Sequence, residues 1–183
     1  MDQDLCIGFV MSDMNAEQLS IELDRDLFLR NLLRELSGTL EELVGLEEAS
    51  GYISLVGQKI GDWLNREYRD EFNLQRLPPD KIAQVLVDLK ARIEGGFELA
   101  SIDDQKIVLT NTRCPFGDKV LGRKSLCMMT STVFGTIAAE NNGYAKVILK
   151  RTIAAGDAGC EVVVYLSPPI DDDALRGIEY YEG

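Results

Sequence analysis

The sequence predicts a single α+β domain, in which three N-terminal helices precede a ββ-α-ββ segment that folds into a four-stranded antiparallel sheet. Up to Ile93, apolar residues recur every three or four positions, which is the period of an amphipathic helix. After Gly95 and Gly96 they gather in short runs rich in β-branched residues, which is typical of strands. The chain has 183 residues, 45% of them apolar, enough for one buried core and short for two.

Three helices are predicted before Gly95. The first begins near Asp26 and ends at Gly45, the second runs to Phe72, and the third begins near Pro79. Proline is favoured in the first turn of a helix and glycine just after the last turn, so these residues set the limits of the elements.

Two β-hairpins flank a fourth helix. The first pairs residues 97–102 with 106–110, and the second pairs residues 144–152 with 161–166. Between them, Ser125 is expected to cap a helix that an Asn-Gly pair terminates. Continuous apolar runs in the central strands indicate that these strands are buried on both faces.

The charge distribution defines the domain boundaries. The net charge is −12, and the excess of acids is concentrated in the two ends of the chain. We therefore predict an acidic N-terminal arm over residues 1–26, a single α+β domain over residues 27–167 and an acidic C-terminal tail over residues 168–183. An acidic surface repels phosphate backbones, so no nucleic-acid partner is expected.

Two features predict a cytoplasmic protein with no membrane partner. No run of roughly 20 uncharged apolar residues occurs, and the first four residues are acidic where a secretory signal would be basic. In that compartment, the four cysteines are expected to be free thiols or metal ligands and not disulfides.

The composition also excludes several classes of catalysis, because the chain has no histidine. Ser-His-Asp and Cys-His catalysis are excluded, and so is zinc held by imidazole. The chain cannot itself supply the phosphoaccepting histidine of a kinase.

Three cysteines are expected to converge. Cys114 follows the second strand, Cys127 lies in the first turn of the fourth helix, and Cys160 opens the last strand. In an antiparallel sheet, the end of the second strand and the start of the fourth can share an edge. Residues 113–124 carry four basic side chains against one acid, so we expect this loop and the helix N-terminus to favour thiolates or an anionic ligand. Cys6 stands apart and is predicted to be a spectator.

Three interpretations of these thiols stay open. The first is that they are ordinary buried cysteines of a core. The second is a metal site, in which zinc or an iron–sulfur cluster is held by Cys114, Cys127 and Cys160, with a fourth ligand from Cys6, a carboxylate or water. The third is redox chemistry of the thiols themselves, with Cys127 the most nucleophilic of them.

A second candidate site is an apolar pocket between the helices and the sheet. Its predicted ligand-binding residues combine aromatic and methionine side chains with residues of the basic loop: Trp63, Tyr68, Phe97, Arg113, Phe116, Lys124, Met128 and Phe134. A stripe of aromatic and methionine residues at helical spacing is also typical of an ordinary core, and that alternative stays open.

Three segments carry a resemblance to a known family. They are Cys114-Pro115-Phe116 through Cys127, the strand that begins Gly143-Tyr144, and Gly156-Asp157 followed by Cys160-Glu161-Val162. Over residues 27–167 this set resembles the bacterial and archaeal signalling modules called methanogen output domains, and it is more distantly similar to vinyl-reductase-type ligand-binding domains. The resemblance implies a regulatory module, often associated with sensor kinases, with helices packed on a small antiparallel sheet. The vinyl-reductase-type domains further imply zinc near a ligand pocket.

These features together predict a prokaryotic signal-transduction module. We expect it to sense a metal cluster, a redox state or a small ligand at the three cysteines, and to regulate a partner such as a histidine kinase. The alternatives are a small thiol-dependent enzyme, either a reductase or a hydrolase, and a purely structural adaptor.

The first helix carries apolar residues on more than one side: Leu27, Leu29, Leu32, Leu33 and Leu36. One of these sides is expected to pack on the domain, and the other to form a homodimer or to contact a kinase.

Overall fold

The computed structural model describes residues 20–169 and 176–183. These residues form three α-helices and five strands, joined by loops and short 3₁₀ turns. No helix in these two ranges is long and apolar enough to cross a membrane. The elements are α1 (Arg25–Phe72), α2 (Pro79–Arg92), β1 (Phe97–Ile102), β2 (Lys106–Asn111), α3 (Cys127–Asn142), β3 (Tyr144–Arg151), β4 (Cys160–Tyr165) and β5 (Ile178–Tyr181).

The strands form one antiparallel sheet in the order β1-β2-β4-β3-β5. The predicted α+β class and antiparallel sheet are confirmed, and the sheet has one strand more than the four expected. The additional strand, β5, lies in the segment predicted to be an acidic tail and pairs with β3, with Ile178 opposite Val147. The limits of the acidic arm and tail stay predictions, since residues 1–19 and 170–175 lie outside the described ranges.

Helix α1 joins the first two predicted helices. Asp24 caps its start by accepting a hydrogen bond from the Leu27 amide at 2.7 Å. Gly45 interrupts the helix with φ 83° and ψ 165°, a conformation that is costly for any residue with a side chain. We call residues 25–44 the N-terminal segment of α1 and residues 46–72 its C-terminal segment.

The main core lies between one face of the sheet and the helices α2 and α3. Fully buried side chains from all three meet there: Ile82, Leu86, Ile107, Leu109, Phe134, Ile137 and Val164. A smaller cluster lies on the opposite face of the sheet: Val108, Ile148, Val163 and Tyr165. Strand β4 is therefore buried on both faces, as its apolar run predicts.

Helix α3 begins without a side-chain cap. The predicted cap, Ser125, instead donates its hydroxyl to Glu41 Oε1 of α1 at 2.6 Å. The expected cap is wrong because a carboxylate from a distant helix takes this hydroxyl. The helix ends at Gly143, whose φ of 85° is left-handed, and this end agrees with the prediction.

Candidate functional site

Strand register brings two of the three cysteines to one edge of the sheet. Cys160, the first residue of β4, lies opposite Asn111, the last residue of β2. The Asn111 side chain accepts a hydrogen bond from the Cys160 amide at 3.0 Å and donates to the carbonyls of Gly95 and Arg113, at 2.9 and 2.6 Å. Cys114 follows three residues after Asn111, so one amide side chain ties the segments around both cysteines together.

The third cysteine reaches the same place from α3. Cys114, Cys127 and Cys160 line one cavity, together with Phe97, Phe116 and other apolar side chains. Its free volume is about 30 Å³, which is room for one or two water molecules. Organic ligands of ordinary size occupy pockets of roughly 300 Å³ or more. The predicted convergence of the three thiols is therefore present, in a cavity suited to an ion or a very small molecule.

The thiols in this cavity are held protonated. Burial raises the pKa of Cys114 and of Cys160, and it raises the pKa of Cys127 to about 12. Hydrogen bonds from the Phe116 and Ile153 amides to Cys114 and Cys160, respectively, oppose the shift in the thiol pKa without cancelling it. The loss of water around a buried thiol thus outweighs its few hydrogen bonds.

The expectation that a basic loop and a helix N-terminus favour thiolates is therefore wrong for this structure. Two of the four cations of the loop pair with carboxylates outside the cavity: Lys119 with Asp118 at 3.6 Å, and Arg123 with Glu41 at 3.7 Å. Although Cys127 is the first residue of α3, burial still sets the direction of its pKa.

A buried lysine faces the thiols instead. Lys90, in the last turn of α2, is 4% exposed. Its ammonium donates to Thr130 Oγ1 at 2.8 Å and lies over the rings of Phe97 and Phe134, at 5.7 and 5.4 Å from their centroids. Burial lowers the pKa of Lys90 to about 8, and the three nearby thiols oppose that shift. None of the ion pairs formed within the described ranges involves Lys90.

Sequence reasoning missed Lys90 because lysines were considered only as loop or surface charges. A signal was present, since position 90 follows Leu86 by four residues and so lies on the apolar stripe of α2. A charged residue on such a stripe is rarely buried without a partner.

The predicted ligand-binding residues do not form a single pocket. Phe97 and Phe116 line the thiol cavity, and Phe134 packs against Phe97 in the main core with ring centroids 5.5 Å apart. Arg113 lines a separate surface depression beside Arg30 and Glu94. Lys124 begins a 3₁₀ turn before α3, and Met128 is half-buried in the first turn of α3. Their role in ligand binding stays a prediction.

Trp63 and Tyr68 lie elsewhere, in an open groove of about 820 Å³ between α1 and α2. Trp63 Nε1 donates to Glu67 at 3.2 Å, and the Tyr68 hydroxyl donates to Asp88 at 2.6 Å. Burial and the Asp88 carboxylate raise the pKa of Tyr68 to about 12. The two aromatic residues therefore belong to a surface groove with acidic walls, and not to the thiol cavity.

The three thiols share a cavity without forming a metal site as they are placed. Within residues 20–169 and 176–183, no group of three or more cysteine, aspartate or glutamate side chains is arranged to hold a metal ion. The assignment of Cys114, Cys127 and Cys160 as metal ligands stays a prediction. Cys6, the predicted spectator, lies outside the described residues.

The loop between Cys114 and Cys127 is attached to the N-terminal segment of α1. The Arg34 guanidinium donates to the carbonyls of Lys119 and Leu121, at 2.6 and 2.9 Å. Glu41 accepts hydrogen bonds from the Ser125 hydroxyl and amide, at 2.6 and 3.3 Å. The loop that connects Cys114 and Cys127 is thus hydrogen-bonded to the long helix α1 on the surface of the domain.

The described residues form an α+β domain with a small internal cavity and a long helix docked on its surface. The chain belongs to the methanogen output domain 1 family, whose sequence model matches residues 32–165. The family name describes an output domain, and so a regulatory role. No curated protein matches the chain, and the matches do not show the more distant similarity to vinyl-reductase-type domains.

Proposed function

We propose that this chain is a prokaryotic regulatory module that responds to a soft metal ion such as zinc at Cys114, Cys127 and Cys160. The response is passed through α1 to a signalling partner such as a histidine kinase. The observation that carries the proposal is the meeting of three thiols from separate elements in one cavity, beside a buried cation, Lys90, that no ion pair among the described residues neutralises.

The size of the cavity indicates which kind of ligand could bind there. About 30 Å³ is too small for an organic ligand. An iron–sulfur cluster needs space for several iron and sulfide atoms, so the same volume favours a single ion. Thiolate ligands suit a soft or borderline metal such as zinc.

The charge of Lys90 supports a metal–thiolate site over the alternatives. Three thiolates and one divalent cation together carry a charge of about −1, which one buried ammonium neutralises. A disulfide or three neutral thiols would leave the Lys90 charge uncompensated. Protonated thiols are also poor nucleophiles, so the burial of these cysteines weighs against both thiol oxidation and a thiol-dependent reductase or hydrolase.

Binding would displace the thiol-bearing loop. Because the thiols as placed do not form a metal site, closing around an ion has to draw them together. Residues 117–126 connect two of the cysteines and are bonded to Arg34 and Glu41 of α1. A shift of this loop therefore changes how the N-terminal segment of α1 is held, and a partner bound to α1 would detect that change.

The direct test is a titration of the reduced, metal-free chain with zinc, followed by hydrogen exchange of α1. We expect one zinc ion per chain, release of protons on binding because the thiols start protonated, and altered amide exchange in residues 25–44. Cys127→Ser should abolish binding. Cys6→Ser separates the two roles open to Cys6, because zinc binding stays unchanged if Cys6 is a spectator and weakens if it is the fourth ligand. Absence of zinc binding, or binding that leaves exchange in residues 25–44 unchanged, would refute the proposal.

Lys90→Met tests the role of the buried charge. The variant should bind zinc at least about tenfold more weakly, since the charge of the metal–thiolate site would then be buried without a counter-ion. Its metal-free form should be more stable than the unmodified protein at pH 7, because an uncompensated buried ammonium is removed. Zinc affinity equal to that of the unmodified protein would show that Lys90 has no part in the site.

The pH dependence of stability gives an independent readout of Lys90. Its pKa falls from an ordinary 10.5 to about 8 on folding, so the unfolded chain binds more protons between these values and stability rises with pH there. We expect the Lys90 contribution to rise by about 1 kcal/mol between pH 7 and pH 9 in the metal-free protein. The raised pKa values of Cys114, Cys127 and Cys160 lower stability over the upper part of the same range, in the unmodified protein and in Lys90→Met alike. The Lys90 contribution is therefore measured as the difference in stability between these two proteins at each pH.

A further inference from the structure

The N-terminal segment of α1 docks on the domain by its polar side. Most of the side chains that the segment buries or half-buries are polar or small: Arg30, Asn31, Arg34, Ser37, Gly38 and Glu41. Leu27 and Leu40 are the half-buried apolar side chains of the segment. Ser37 and Gly38 are fully covered, and Gly38 lies so close to the Arg123 guanidinium that a Cβ there would meet it at 2.6 Å. This arrangement is the reverse of an ordinary amphipathic helix, which turns its apolar side inward.

The apolar side of the segment faces outward. Its large side chains are 39–77% exposed: Phe28, Leu29, Leu32, Leu33, Leu36, Leu43 and Val44, with Leu46 just past the break. Four of the leucines, with Thr39, follow the alternating three- and four-residue spacing of heptad positions a and d. Leu29, Leu36 and Leu43 are at a, and Leu32 and Thr39 are at d; we call these five residues the seam.

The docked face and the seam occupy different positions of the heptad. Arg30, Arg34, Ser37, Gly38 and Glu41 occupy positions b, c and f, which point away from the partner in a coiled coil. The domain therefore covers the face that a coiled coil does not use, and leaves free the face that it does.

We propose that a second copy of this chain covers the seam, with the two N-terminal segments side by side in parallel. Identical a and d residues pack against each other across a two-fold axis, so a heptad seam is complementary to itself. The exposed parts of the seam leucines, together with Phe28 and Leu33 beside them, amount to on the order of 500 Å², taking roughly 150 Å² for a large apolar side chain. This is more than half of the approximately 800 Å² that each partner buries in a standard interface.

The residues beside the seam select the parallel orientation. In a parallel pair, position g of one helix faces position e of the next heptad of the other. Phe28 then meets Leu33 of the second copy, and Glu35 meets Leu40. An antiparallel pair would place g residues opposite each other, which brings Glu35 towards Glu42. The exposure of both Phe28 and Leu33, at 56% and 39%, fits the parallel pairing.

Sedimentation of the full chain over a range of concentrations tests the pairing. We expect a dimer whose dissociation constant rises about tenfold or more in Leu36→Glu, because the substitution buries two like charges at the centre of the seam. Leu55→Glu, at a position 61% exposed on the C-terminal segment, is the matched control and should leave the dimer unchanged. Circular dichroism checks that both variants fold.

Cross-linking tests the orientation. Leu29→Cys and Leu43→Cys should each form disulfide-linked dimers with themselves, while the unmodified chain, with its native thiols, does not. A monomer at all concentrations, or a dimer that Leu36→Glu leaves intact, would overturn the proposal. Cross-linking only in a mixture of the two cysteine variants would show an antiparallel pair, and so would overturn the parallel arrangement.

Discussion

The two segments of α1 dock on the same domain by opposite means. The N-terminal segment is held by polar contacts, in which Arg34 and Glu41 bind the backbone and side chains of the thiol loop. The C-terminal segment is held by close backbone approach to α3. At Gly57 and Gly61, an added Cβ would lie 3.0 Å from Thr132 Cβ and 2.9 Å from Thr136 Cβ, respectively.

The contrast is sharper because one apolar repeat runs through both segments. The spacing that begins at Leu29 continues through Ile53, Ile60 and Leu64. Before Gly45 its residues are exposed, and after Gly45 they are half-buried against the domain. The break at Gly45 therefore changes which side of the helix the domain covers. The apolar side of a helix identifies a contact surface, but it does not identify which neighbour supplies the contact.

Gly61→Leu should have the largest effect on stability. A side chain at this position is forced against Thr136 of α3, and overpacking of this kind typically costs about 1–3 kcal/mol. Gly51→Leu is the matched control, because an added Cβ there has no neighbour within 4 Å and leucine favours the helix. Urea denaturation measures both. Equal stability of the two variants would mean that the C-terminal segment is not packed closely on α3.

Gly45→Ala and Gly51→Ala should have opposite effects of similar size. Both positions have open space around them, so only the backbone distinguishes them. The left-handed φ of 83° at Gly45 should make alanine destabilising by about 1–2 kcal/mol. At Gly51, inside the helix, alanine should be stabilising by about 0.5–1 kcal/mol. Thermal unfolding of both variants checks the pair, and stabilisation by Gly45→Ala would argue for a continuous helix.

Glu41→Gln should have the smallest effect, and a local one. The substitution removes the charge that attracts Arg123 at 3.7 Å but keeps an acceptor for Ser125, so we expect a loss of about 0.5–1 kcal/mol. Amide exchange should accelerate in residues 25–44 and not in residues 46–72. Glu42→Gln, on the exposed side, provides the control. Acceleration along the whole of α1 would show that the two segments respond as one unit.

Local patterns were sufficient to predict most elements of the fold. Pro79 and Gly143 mark element ends where the sequence places them, and Gly45 marks a break inside α1, because proline and glycine act through their own backbone geometry. Strand β5 was missed because it is only four residues long, lies among acidic residues and is paired with β3, which is distant in sequence. Such pairing leaves no local signal.

The candidate site was predictable in its membership and not in its electrostatics. Antiparallel strand order was enough to bring Cys114 and Cys160 to one edge. The protonation of the thiols was not predictable, because it depends on how completely the surrounding residues exclude water from Cys127. The role of Lys90 was hidden for the same reason: a lysine is assigned to the surface until its burial is known.

The three hydrogen bonds of the Asn111 side chain hold one wall of the thiol cavity together. Gly95, Arg113 and the Cys160 amide are joined through that one side chain, so the wall that carries Cys114 and Cys160 moves as a unit. Cys127 belongs to a different unit, because Ser125, two residues before it, is bonded to Glu41 of α1, and Thr130, three residues after it, is bonded to Lys90 of α2. A contraction of the cavity would therefore bring two separately anchored units together and would reach α1 and α2 through these bonds. The position of a single asparagine decides which two of the three thiols stay together in such a change.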